Sequence, residues 1–132
     1  MLPVARREAR ERAFSLLYEA DTKGSAPQAV LDELPVAPDS FTVALVAGVG
    51  GHQARIDSLI ERHSIGWALD RMPAVDRALL RMATYELIDR PDIPTAVSIS
   101  EAVDLATQYS TEESGRFVNG VLSAVAAEVR GA

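Results

Sequence analysis

The segment VARREARERAF, residues 4–14, sets four arginines within seven positions, Arg6, Arg7, Arg10 and Arg12. Guanidinium groups grip phosphate oxygens through paired N–H donors, and a helix N-terminus adds partial positive charge, so such a cluster suits a polyanion. Residues 1–12 carry these four arginines against two glutamates, net +2, whereas the remaining 120 residues carry nine basic and seventeen acidic side chains, net −8. A positive end on an acidic body draws polyanions locally, while the body repels nucleic acid at large and suits a basic protein partner. A solvated helix face is the competing reading, because the chain uses twelve arginines to a single lysine, Lys23.

A second stretch with chemical content is STEESGRFVNGVL, residues 110–122. At 100° per residue Phe117 falls on the rim of the helix's apolar face, with Arg116 and Asn119 on the polar side. A ring to stack a base, a charge for phosphate and an amide for a base edge are the needs of single-stranded RNA. The alternative is packing: Phe117 and Val121 form an i, i+4 pair that a neighbouring helix would cover. Gly120 is harder to explain by packing, since it lies mid-helix on the polar side, where a glycine gains nothing unless something approaches closely.

Other chemistry finds no support. His52 and His63 share a face, but eleven residues of helix separate them by roughly 16 Å, too far to share one metal. GVGG, residues 48–51, lacks the spacing of a dinucleotide loop and the Lys-Ser/Thr of a P-loop. There is no cysteine, and Ser64 beside His63 is adjacency rather than a triad. No cofactor, metal site or enzymatic activity is expected. The longest apolar run, VALVAGVG at 43–50, is far short of a membrane span, and Glu19 and Asp21 spoil a secretory core after the arginines. With no cysteine, the reading is a cytoplasmic, non-membrane protein.

The elements that must position these residues are helices throughout. Apolar spacing is helical nearly everywhere and predicts an all-α fold of six or seven helices joined by short loops. The first runs from about Ala5 to Asp21 with Ala9, Ala13, Leu16, Leu17 and Ala20 inward, ended by GSAP at 24–27. A short helix opens at Ser25 and Pro27. A long third helix from Asp39 or Ser40 carries one stripe through Phe41, Leu45, Val49, Ile56, Leu59 and His63, its glycines implying close helix packing. After a turn near Trp67, Pro73 starts a helix to about Asp89. Ser98 and Glu101 read as a capping box, and Ser114 as the cap of the last helix. On the first helix Arg6, Arg7 and Arg10 share one arc beside the core stripe, whereas Arg12 lies on the other rim near Glu8, and Glu11 lies one turn after Arg7. Glu86 falls inside the stripe Val75, Leu79, Met82, where a carboxylate must accept hydrogen bonds, and joining two helices is its expected role.

ARREARERAFSLLYEAD at the start, LLRMATYEL at 79–87, SEAVDLA at 100–106 and GRFVNGVL at 115–122 together resemble the NusB family of transcription antitermination factors. The order and spacing match along essentially the whole chain. The resemblance implies one domain over 1–132 built as two small packed helical bundles, about 1–63 and 64–132. It implies a factor that binds boxA RNA of nascent ribosomal transcripts with the small-subunit ribosomal protein NusE, within the RNA polymerase antitermination complex. Family positions for RNA are matched by Arg6, Arg7, Arg10, Glu113, Ser114, Arg116 and Phe117, with Asn119 added from the helical wheel. Positions facing NusE are matched by Tyr18, Asp70 and Asp76. Glu8 stands where relatives often carry a further basic residue, which implies weaker RNA binding or more reliance on the partner. Two other functions stay open: a helical protein–protein adaptor without RNA binding, and a stand-alone ribosomal-RNA-binding domain related to that of rRNA cytosine methyltransferases. A monomer and a homodimer are both compatible.

Overall fold

The computed structural model describes residues 5–131, and these form seven α-helices with no strand. α1 spans Arg6–Lys23, α2 Pro27–Asp32, α3 Ser40–Gly51 and α4 Gln53–His63. A 3-10 turn at Leu69–Arg71 leads to α5 at Ala74–Asp89, α6 at Thr95–Tyr109 and α7 at Glu112–Arg130. The predicted all-α architecture is the observed one. α1 buries the predicted stripe together with Phe14, and it ends where Gly24 adopts φ 67°, a left-handed conformation that donates its N–H back to Ala20 and Asp21.

α5 is the centre of the molecule. Ala78, Leu79, Leu80, Met82 and Ala83 have almost no exposed surface, and the helix packs against α1, α3, α4, α6 and α7. One continuous hydrophobic core results, from Ala9 to Ala126. Arg130, in the last turn of α7, closes this arrangement: it donates to the carbonyls of Glu86, Leu87, Arg90 and Ile93 and to Thr95 Oγ1. Those carbonyls include ones that the C-terminus of α5 leaves without intrahelical donors.

The predicted long third helix is two. His52 takes φ −125° and ψ 18°, which ends α3 and starts α4, although the apolar stripe runs unbroken through both. Close packing explains Gly48, where a Cβ would lie 2.1 Å from the Tyr85 ring, but not Gly51, whose Cβ would meet nothing within 4 Å. Two caps also differ from the sequence reading. α6 begins at Thr95 after Pro94, so Ser98 lies inside the helix and forms no capping box. Thr111, not Ser114, caps α7, its hydroxyl accepting from the Ser114 N–H at 3.0 Å.

Candidate nucleic-acid interface

Of the three arginines assigned to one patch, two reach the surface. Arg6 is exposed, with its guanidinium 4.2 Å from the centre of the Phe41 ring. A stacked guanidinium keeps its N–H edge free for an anion. Arg90 approaches the same ring at 5.3 Å, held by Asp92 through Nε and Nη2 at 3.1 Å each. No local pattern marks Arg90 as a neighbour of Arg6, because 84 positions separate them.

Arg7 is exposed but occupied. It donates to Asp104 at 2.9 Å and pairs with Glu101, both on α6. The Asp104 hydrogen bond, with Glu101 nearby, holds its pKa above the ordinary arginine value against the lowering effect of burial. The expected partner, Glu11, instead accepts from the Tyr109 hydroxyl at 2.9 Å. No ion pair among the described residues joins Arg12 to Glu8.

Arg10 is a correction. Its side chain is 2% exposed and forms a two-pronged bond with Glu86, Nε to Oε2 at 3.0 Å and Nη2 to Oε1 at 2.8 Å. The guanidinium has no face left for phosphate, and its position beside the stripe proves to be inside the core. Glu86, 0% exposed, also accepts from Ser98 Oγ at 2.9 Å. It therefore joins α1, α5 and α6, three helices where the sequence predicted two, with side-chain donors.

On α7, Glu113, Arg116 and Asn119 are exposed, Phe117 is half-buried and Ser114 is buried. Phe117 meets Trp67 edge-to-face, with ring centres 5.2 Å apart. The two rings line a cleft of about 470 Å³ with Ile65, Pro73, Asp76 and Glu113. Asn119, two residues or about 200° further round the helix, lies on the opposite flank. There it lines a groove between α6 and α7 with Ser100, Val103, Asp104 and Ser123. Among the described residues Phe117 meets Trp67 and shares its cleft with Pro73 and Asp76, whereas Arg7 meets Glu101 and Asp104 of α6, and Asp104 also lines the Asn119 groove.

The residues expected to face a protein partner divide as well. Tyr18 is exposed, lining a shallow pocket with Phe14, Val75 and Tyr109, and Asp70 is exposed on the 3-10 turn. Asp76 is the second correction, because only 1% of it is accessible and it offers no open carboxylate to a partner. Its Oδ1 meets no donor among the described residues. Burial pushes this carboxyl above its ordinary range, and the neighbouring Ser114 hydroxyl offsets part of that shift.

Gly120 is exposed and a Cβ there would meet nothing within 4 Å. Without a close ligand, Gly120→Ala is expected to stabilise α7 by about 0.5–1 kcal/mol, read from urea titration. A gain in stability accompanied by a fall in RNA affinity would mark this as a place where RNA backbone lies against the helix.

Three kinds of comparison bear on these surfaces. The family model described as NusB family matches residues 7–127. Among curated proteins, the transcription antitermination protein NusB of Kineococcus radiotolerans is 49% identical over 126 residues, covering 92% of this chain and 93% of the relative. That of Beutenbergia cavernae is 50% identical over 132 residues, covering 89% and 86%. Among solved structures, NusB of T. maritima superposes with a TM-score of 0.85 at 34% identity, covering 96% of this chain and 94% of the other. A chain from a structure of antitermination factors NusB and NusE in complex with dsRNA superposes with a TM-score of 0.79 at 34% identity, covering 93% and 96%.

Proposed function

The chain belongs to the NusB family, and from that premise we propose that it is a transcription antitermination factor that binds boxA RNA of nascent ribosomal transcripts together with the NusE ribosomal protein. It acts in the cytoplasm as a binding component of the RNA polymerase antitermination complex and catalyses no reaction. The observation that carries this reading is the exposed guanidinium pair, Arg6 and Arg7, at one end of a chain whose formal net charge is −6. Exposed guanidinium groups on an acidic body offer donors to an anionic ligand at that place, although Arg7 is paired with Asp104 and Glu101, and leave the acidic remainder to a basic partner.

In this reading Arg6 and Arg7 hold phosphates, and Arg116 and Asn119 extend the contact along α7. Phe117, half-buried, offers the exposed part of its ring to a base, with Glu113 and Ser114 beside it. Phosphate contacts supply affinity without sequence preference, so discrimination of boxA falls to the ring, the amide and the NusE subunit. Tyr18 and Asp70 form part of the NusE-facing side.

The test is a titration of a boxA oligonucleotide with and without NusE over a salt series, for the wild type and Arg6→Ala/Arg7→Ala. The double variant is expected to bind at least tenfold more weakly, with the log–log salt slope reduced by about 0.7 for each single-strand phosphate it no longer holds. Unchanged affinity would remove the arginine pair from the RNA site. Arg10 is left intact here, since removing this buried partner of Glu86 would destabilise the protein and mask the result.

A further inference from the structure

The surface between Arg7 and Asn119 is not vacant ground for a phosphate. Asp104 stands there, 57% of its side chain exposed, with its Oδ2 2.9 Å from Arg7 Nη2. The same side chain lines the groove of about 370 Å³ that contains Asn119, Ser100 and Ser123. A carboxylate bound to a guanidinium by a charge-assisted hydrogen bond has the chemistry of a phosphate oxygen in the same position. Glu101, the other acid on Arg7, differs in kind. Only 18% of its side chain is exposed, and it also lies 3.6 Å from the buried Arg10, so it belongs to the interior network of charges.

We propose that Asp104 is a built-in competitor for RNA, a carboxylate that occupies Arg7 in the free protein and is displaced when an RNA phosphate takes its place. This rests on the RNA-binding reading above and adds a residue that sets its strength. Displacement burdens every polyanion equally. A ligand that reaches only Arg7 gains little, because it exchanges one anion for another, whereas one that also engages Arg6, Arg116 and the Asn119 groove recovers the deficit. Asp104 thereby lowers affinity at the arginine end by one common factor, so that only a ligand with several further contacts stays bound.

The experiment compares the wild type, Asp104→Asn, Arg7→Ala and Arg7→Ala/Asp104→Asn in boxA RNA titrations with NusE present, across a salt series. Asparagine keeps the size and an acceptor oxygen but removes the charge. Asp104→Asn is expected to bind boxA and a non-boxA oligonucleotide of equal length about threefold to tenfold more tightly, by the same factor wherever the strand takes Arg7. Its salt slope should steepen by up to about 0.7, the value of one full single-strand phosphate contact. In the Arg7→Ala background the same substitution should gain less than twofold, because the pair it releases no longer exists. Glu33→Gln, which removes an equal charge from an exposed residue in no ion pair among the described residues, should match the wild type.

If Asp104→Asn binds RNA no better than the wild type, or gains as much without Arg7, the competitor role is wrong while RNA binding stands. An equal gain from Glu33→Gln also overturns it, by attributing the effect to net charge. If the wild type binds no RNA in any arm, the functional reading fails and this inference falls with it.

Discussion

Arg10→Ala is expected to destabilise the protein by about 3–5 kcal/mol, the usual cost of leaving one member of a buried ion pair without its partner. Domains of this kind have about 5–15 kcal/mol in total, so the change should shift the urea midpoint severely or prevent folding altogether. The reason lies in Glu86, which is 0% exposed and, among the described residues, would keep only the Ser98 hydroxyl as a side-chain donor. Removing both charges with apolar residues of similar volume is a different perturbation. Arg10→Met/Glu86→Leu is expected to recover most of the missing stability, since the expense of burying two ions disappears with them. Ser98 can then turn its hydroxyl to a carbonyl of the preceding turn, as serines within helices do. This double variant also separates folding from binding. If it folds and holds boxA RNA as the wild type does, Arg10 is structural; if it folds and fails to hold RNA, Arg10 returns to the binding surface.

Gly48→Ala is expected to lower stability by about 1–3 kcal/mol, against the gain of about 1 kcal/mol that alanine brings to an unobstructed helix interior. The added Cβ would sit 2.1, 2.2 and 2.6 Å from three atoms of the Tyr85 ring. A ring cannot yield by bending one flexible tip. It must move as a plate, and this one is buried, edge-on to His52 at 5.8 Å and bonded through its hydroxyl to Asp89 at 3.0 Å. Thermal denaturation should show the decrease, and Gly48→Ala/Tyr85→Leu should recover part of it. A variant as stable as the wild type would mean that α3 and α5 separate freely, contrary to the continuity of the core.

The apolar stripes were readable because burial repeats at the helical period, and α1 buries the five residues its spacing marks. The break at His52 was not, because the stripe of α3 continues in phase into α4 and periodicity alone does not register a change of backbone angle. Capping was misplaced for a related reason. Ser98 and Glu101 have the spacing of a box, but Pro94 starts the helix earlier and frees both side chains for tertiary work. Arg10 illustrates a wider limit of helical wheels. Its angle beside the stripe distinguishes it little from Arg6 and Arg7, and only a partner on α5 draws it inward. Glu86 disclosed a need for donors from its place in an apolar stripe, yet nothing local identified the donor. Asp76 lies off the centre of its helix's apolar face, and the Ser114 end of α7 covers it all the same. The site followed the same rule: residue types were legible in each segment, whereas the partners that cover them, the acids of α6 for Arg7 and Trp67 for Phe117, belong to the packing.

Arg10 and Glu86 are 76 residues apart in the chain, and Arg130 then clasps the carbonyl of that same Glu86. During synthesis α1 therefore leaves the ribosome carrying a cation whose counter-ion has not yet been made, and the seal on α5 waits for Arg130, 44 residues after Glu86. Pairings so distant delay folding until translation is well advanced. The newborn α1, its Arg10 still without Glu86, spends that interval beside a particle whose RNA presents a dense array of phosphates.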